Sequence, residues 1–157
     1  GSTDMTPPTA LIAEDEPLLA QGLRSELARL WPQLDVVAVV GDGHSAVEQA
    51  LALVPQVCFL DIRMPGLNGL DVAAAALKLS PDTQVVFVTA YNQYAIDAFE
   101  KGAIDYLLKP VEPKRLAASI LRLKARAISG VLRRRPGWQD RAGTLGAGGR
   151  TWSDGVQ

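Results

Sequence analysis

Short apolar runs alternate with amphipathic stretches along most of the chain. The runs are Ala10-Leu11-Ile12-Ala13, Val36 to Val40, Val57-Cys58-Phe59-Leu60, Gln84 to Thr89 and Ile104 to Leu108. Unbroken apolar runs of this length, such as those of the third and fourth segments, read as strands buried on both faces. Between the runs, apolar residues return at helical spacing. After Pro17, which suits a first helical turn, come Leu19, Leu23, Leu27 and Leu30. A second helix is expected from about Ser45 to Leu53 on Val47, Ala50 and Leu51, and a third after Gly69 on Leu70, Ala73, Ala74 and Leu77. A fourth is expected over Tyr91 to Lys101, with Ala95, Ala98 and Phe99 toward the core. The last begins near Pro113 and carries Leu116, Ile120, Leu123 and Ala127. Trp31-Pro32, Pro55, Ser80-Pro81-Asp82 and Gly102 punctuate the pattern.

Strand followed by helix, five times over, implies an α/β fold: a parallel sheet covered on both faces with right-handed crossovers. Five strands suggest a doubly wound, flavodoxin-like (βα)5 sheet of order 2-1-3-4-5. The domain is expected over residues 9–128. Residues 1–8 read as a tag scar and N-terminal extension, with a native Met5. Residues 129–157, rich in Gly and Arg without apolar period, read as a linker or tail with little order. Arg133 to Arg135 read there as a solvated linker rather than a nucleic-acid contact, and Trp138 and Trp152 find no role.

Composition narrows the function classes. Of 157 residues, 48% are hydrophobic and 21% charged, as in an ordinary globular protein, and the net charge of −1 makes no whole-chain case for nucleic acid or membrane. No apolar run approaches the ~20 residues of a membrane helix. Cys58, the only cysteine, stands within an apolar strand, which favours a buried structural thiol and a reducing, cytoplasmic setting. His44, the only histidine, is expected on the surface and is no phosphoryl donor.

The chemistry collects at the strands' carboxyl ends, where open α/β sheets bind ligands. The first strand ends in Glu14 and Asp15, the third in Asp61, the fourth in Thr89 and the fifth in Lys109. In the 2-1-3-4-5 order these strands are neighbours, so three acids, a hydroxyl and an amine meet in one cleft. Two unit charges ~4 Å apart repel by ~4 kcal/mol at an effective dielectric near 20. Three carboxylates therefore need a proton or a cation, and oxygen ligands point to Mg2+. A carboxylate beside Mg2+, a lysine and a hydroxyl is equipped to attack phosphorus. The plainer alternative, a solvated acidic turn at a helix start, accounts for Glu14 to Glu16 but not for Asp61, Thr89 and Lys109 at the same edge.

With these residues in view, the chain closely resembles the receiver domains of bacterial two-component response regulators, from about Thr9 to Ile128. The motifs are Ala13-Glu14-Asp15-Glu16-Pro17, Leu60-Asp61-Ile62-Arg63-Met64-Pro65-Gly66-Leu67-Asn68-Gly69, Val88-Thr89-Ala90 and Asp105-Tyr106-Leu107-Leu108-Lys109-Pro110. The segment Phe87 to Glu100 resembles the LytTR (LytR/AlgR) class of transcriptional regulators. The resemblance implies that Asp61 accepts a phosphoryl group from a sensor histidine kinase, that Asp15 and Asp61 bind Mg2+ directly with Glu14 through water, and that the Arg63 carbonyl completes the metal set. It implies that Thr89 and Lys109 hold the phosphoryl group, that Tyr106 is an aromatic switch, and that the Lys109-Pro110 bond is cis. Family members often carry Asp where Glu14 stands. The protein is then a signalling module rather than an enzyme. DNA would be contacted only through a C-terminal domain that the residues after Ser129 are too few to build, so the chain is expected to be a receiver fragment or a regulator without its output.

Two rivals carry distinct expectations. A haloacid-dehalogenase-type phosphatase also uses Asp, Mg2+, Thr and Lys, but places its nucleophile after the first strand in an Asp-x-Asp pattern, which Asp61-Ile62-Arg63 lacks. A free-standing phosphorelay receiver would share the site and differ only in output. For the transcription-regulator reading, the fourth helix, fifth strand and fifth helix are expected to form a homodimer face. It would set Tyr94, Ile96 and Asp97 against Lys114, Arg115, Ser119, Arg122 and Lys124.

Overall fold

The computed structural model describes residues 6–133. Its elements run β1 (Thr9–Ala13), α1 (Pro17–Leu30), β2 (Asp35–Val40), α2 (Gly43–Leu53), β3 (Val57–Leu60), α3 (Gly69–Leu79), β4 (Gln84–Thr89), α4 (Ala95–Glu100), β5 (Asp105–Leu108) and α5 (Pro113–Arg133). The strands form one parallel sheet in the order β2-β1-β3-β4-β5, the order the alternation implies. The chain divides into two compact units, one ending at Leu123 and one starting at Lys124.

Side chains alternate across each strand, so the sheet has two cores. Ile12, Phe59, Val86 and Leu107 face Leu27 of α1 and Leu116 and Leu123 of α5. Leu11, Leu60 and Phe87 face Ala46 of α2, Val72 of α3 and Ala98 of α4. All four residues of β3 and all six of β4 are buried, as expected for central strands. β2, at the edge, alternates between exposed and half-buried. Cys58 lies in the second core, fully buried.

Local chemistry sets the helix starts. Pro17 opens α1 after Glu16. Asp42 caps α2 by accepting from the Ser45 N–H at 2.7 Å, so α2 begins at Gly43, two residues before the sequence expectation. Asn68 caps α3 in the same way, accepting from Asp71 N–H at 3.0 Å. Gly43 leaves no room for a side chain: a Cβ there would stand 2.0 Å from the Leu67 carbonyl oxygen. The Gly43 N–H donates to the Pro65 carbonyl at 3.0 Å, so the start of α2 buttresses the loop that follows β3.

Several expectations are corrected. Leu19, Leu51 and Ala74 lie outside the core; the buried residues of α1 are Ala20 and Leu27, with Leu23 and Leu30 partly buried. α4 starts at Ala95, not Tyr91, because the backbone groups of Tyr91 are engaged elsewhere: its N–H faces the Thr89 hydroxyl at 3.4 Å and its carbonyl accepts from the Tyr106 hydroxyl. Phe99 is 48% exposed. α5 continues to Arg133, past the Ile128 boundary, and Ala127 is exposed. The readings placed on residues 1–5 and 134–157, including Trp138 and Trp152, lie outside the described residues.

Candidate functional site

Register builds the site. β1 and β3 pair Ala13 with Leu60, so the next residues, Glu14 and Asp61, stand side by side. The ladder carries past the strand ends: Asp61 N–H donates to Ala13 O and Glu14 N–H to Val40 O, both at 2.9 Å. β4 and β5 pair Thr89 with Leu108, and Lys109 N–H donates to Thr89 O at 2.9 Å. The Lys109-Pro110 bond is cis, as the motif implied.

Asp61 is 6% exposed. One of its oxygens accepts from the Ile62 N–H at 2.6 Å, and the other from Lys109 Nζ at 2.7 Å. Lys109 Nζ also donates to Glu14 Oε1, so one ammonium serves two buried carboxylates. The remaining Glu14 oxygen accepts from the Glu16 N–H at 3.1 Å. Burial holds the Glu14 carboxyl above the ordinary range, offset in part by the Lys109 hydrogen bond and the Glu16 N–H. Burial pulls the Lys109 ammonium down, but its hydrogen bonds to Asp61 and Glu14 outweigh this, and its affinity for the proton is raised.

Asp61 and Lys109 open onto a cleft of about 460 Å3 that Asp15, Glu16, Arg63 and Tyr91 also line. The Arg63 guanidinium lies over the Tyr91 ring at 4.5 Å, a cation–π contact at the rim. Thr89 is fully buried, with Tyr91 N–H at 3.4 Å from its hydroxyl. Tyr106 is half-buried between Phe87 and Phe99, with ring centroids at 6.3 and 6.5 Å, and its hydroxyl donates to the Tyr91 carbonyl.

The sequence-derived residues thus meet at one edge, with one addition. The carboxylates that lie within 4.8 Å of one another are Glu14, Asp15 and Glu16. Asp61 is not among them; its link to Glu14 is Lys109. Glu16 is absent from the metal set that the family resemblance implies, and the acidic-turn alternative applies to it as it does to Glu14 and Asp15. Four carboxylates against Lys109 and Arg63 leave a surplus of two negative charges, and all the donors are hard oxygens. That donor set fits a divalent cation of the Mg2+ type.

A second ion cluster escaped the sequence reading. Asp105, 1% exposed, takes Arg115 in a two-pronged contact at 2.9 and 2.6 Å, with Arg122 at 3.4 Å. Its Oδ1 also accepts from the Tyr106 N–H at 2.9 Å. The available signal was two arginines seven residues apart, on one face of a helix that follows an acid-headed strand. This corrects the expected basic face of α5: Arg115 and Arg122 are paired within the chain, and Ser119 is fully buried.

With the geometry in place, comparison with known proteins is informative. The response regulator receiver domain family matches residues 10–121. An uncharacterized response regulatory protein of Vibrio cholerae is 47% identical over 116 residues, covering 74% of this chain and 44% of that protein. The positive alginate biosynthesis regulatory protein of Pseudomonas aeruginosa is 43% identical over 114 residues, covering 70% of this chain and 44% of its own length. The chain therefore spans under half the length of these relatives. Among solved structures, the REC domain of AraT, a response regulator from Geobacillus stearothermophilus, superposes with a TM-score of 0.72 at 32% identity, covering 78% of this chain and 96% of that one. No helix among the described residues is long and apolar enough to cross a membrane.

Proposed function

Because this chain belongs to the response regulator receiver domain family, a family of phosphorylation-based signalling modules, we propose that it is switched by a phosphoryl group accepted on Asp61 from the histidine of a sensor kinase. The observation that carries this reading is a buried carboxylate whose side-chain partner is a lysine shared with a second acid. An Asp61 oxygen attacks phosphorus, the bond from phosphorus to the donor imidazole breaks, and the imidazole leaves with the electron pair and takes a proton. The product is an acyl phosphate on Asp61. Lys109, released from Asp61, pairs with a phosphoryl oxygen, and the Thr89 hydroxyl donates to another. Asp15, Glu14 and Asp61, with the Arg63 carbonyl, would hold Mg2+, which supplies charge neutralisation for the transferring group. On one side an apolar groove of about 270 Å3, bordered by Leu18, Leu19 and Pro110, reaches Glu14 and Lys109 and suits a helix of the donor.

The output reading rests on the relatives. One is named as a regulator of alginate biosynthesis and another, at 44% identity, as a transcriptional regulatory protein of Salmonella typhi. Both support a LytTR-type transcriptional regulator acting in the cytoplasm, whose DNA contacts belong to a C-terminal domain. The dimer face is α4, β5 and α5, where Ile96, Phe99 and Leu108 are exposed. Arg115 and Arg122 are paired with Asp105 within the chain, which leaves the exposed apolar residues and Lys114 to supply its attraction.

Acetyl phosphate with Mg2+ tests the acceptor: intact-mass analysis is expected to show one labile phosphoryl adduct, mapped to Asp61. Sustained turnover of a phosphate ester would instead support a phosphatase. Sedimentation with and without beryllofluoride tests the face: dimerisation that strengthens with beryllofluoride and is lost in Phe99→Ala supports it, and a monomer in both conditions removes it.

A further inference from the structure

We propose that Asp105, with Arg115 and Arg122, is a latch that sets the resting position of Tyr106. The inference rests on the reading of Tyr106 as the switch residue.

β5 is an outer strand, so every second backbone N–H points away from β4 and lacks a ladder partner. The Tyr106 N–H is satisfied at 2.9 Å by the carboxylate of its own neighbour, Asp105. The same carboxylate is held from the other side by two arginines of α5, one in its first turn and one two turns on. Asp105 cannot move without releasing both the helix and the Tyr106 main chain.

Alternation along β5 divides the roles. Asp105 faces the arginines of α5, while the Tyr106 ring packs on the other side against Phe87 and Phe99. The far end of the Tyr106 side chain donates to the Tyr91 carbonyl, and the Tyr91 N–H faces the Thr89 hydroxyl at the candidate phosphoryl site. A continuous run of polar contacts therefore joins the α5 arginines to Thr89 by way of Asp105, Tyr106 and Tyr91. Coupling needs an element with two arrangements, and in this run Tyr106 is that element. A ligand at Thr89 acts on one end of it and the latch on the other. Asp105 is a positioning residue: it acts on Tyr106 and touches no reacting atom.

The chain has three tyrosines, Tyr91, Tyr94 and Tyr106, so 3-fluorotyrosine labelling gives three fluorine resonances, with Tyr106 assigned by Tyr106→Phe. Two comparisons keep the latch and the switch apart. Wild type with and without beryllofluoride tests the switch: a Tyr106 resonance that does not move ends that reading. Wild type against Asp105→Asn, both without beryllofluoride, tests the latch. The Tyr106 resonance is expected to shift or exchange-broaden in the variant. Identical Tyr106 resonances in a folded Asp105→Asn protein overturn the latch, leaving the cluster as a stabilising contact alone. If Asp105→Asn fails to fold, Arg115→Gln loosens the same latch from its exposed side, and an unchanged Tyr106 resonance there is equally decisive against it. Arg115→Lys, which keeps the charge, is expected to restore part of the wild-type position.

Discussion

The sheet carries a buried ion cluster on each of two sides, and they are built in opposite proportion. At the carboxyl ends of β1 and β3, Glu14 and Asp61 share one lysine. At the start of β5, one aspartate holds two arginines. In both places burial is the largest single influence on the carboxyl group, and it pushes upward. Around Asp105 the arginines outweigh it, and the carboxyl lies below the ordinary range. Around Glu14 the shared lysine does not, and the carboxyl lies above it. The proportion of acid to base, not burial, decides the sign. A cluster short of positive charge has room for a further cation, as the proposed function requires. A cluster with a surplus of it is satisfied and holds elements together.

The largest expected effect is chemical. Asp61→Asn keeps the shape but removes the charge of the proposed acceptor, and acetyl phosphate labelling is expected to fall to background. Asp15→Ala is expected to do the same by removing a ligand of the proposed Mg2+ site, while the fold survives. Labelling of either variant at the wild-type rate would erase the distinction between the clusters.

Stability separates them next. Removing a partner from a satisfied buried pair is costly, though the exposure of Arg115 and Arg122 moderates this. Asp105→Asn is expected to cost about 1–3 kcal/mol in urea unfolding. Asp15→Asn relieves crowding and is expected to leave stability unchanged or raise it by up to about 1 kcal/mol. Equal losses in both variants would show that charge proportion has no bearing on the fold.

The pH response follows with smaller amplitude. The Asp105 contribution is complete above the unfolded value near 3.8 and is lost as pH falls through its lower folded value. Glu14 works the other way. Its folded value lies above 4.5, so the folded protein takes the proton first, and stability rises as pH falls from that value toward 4.5. In urea titrations across pH, Glu14→Gln is expected to flatten the rise and Asp105→Asn the acid loss. Crossed assignments would contradict the signs.

The smallest effect comes from a buried group with no partner. Burial alone pushes the Cys58 thiol up to about 12. It should resist thiol reagents in the native protein and react fully in denaturant, without altering phosphorylation. Native-state labelling at the unfolded rate would show that this core is open to solvent.

The sheet order and the edge where the chemistry gathers were legible because apolar runs and their terminal residues carry that information locally. Asp61, Thr89 and Lys109 each end a run, so counting strands sufficed to bring them together. What stayed hidden depends on pairing across the fold. Nothing beside Asp105 announces that Arg115 and Arg122 will reach it, and a helix face full of arginines reads as free surface until the partner is seen. The start of α4 was hidden for a related reason. Tyr91 to Tyr94 have helical neighbours and no breaker, but Thr89 and Tyr106 claim the backbone groups of Tyr91 before a helix can.

α4 is six residues long, and only Ala98 within it is buried. A helix so short does not persist by itself in water, and a single methyl group contributes on the order of 1 kcal/mol of anchorage. In hydrogen-exchange terms, its amides are expected to open without global unfolding, while those of β3 and β4, buried throughout, are expected to exchange only when the whole domain does. On that expectation the fold combines a slow-exchanging interior with a fast-exchanging margin. On the proposed reading, a phosphoryl group on Asp61 need rearrange only the margin, so a modest difference in affinity between two arrangements would be enough to move the population.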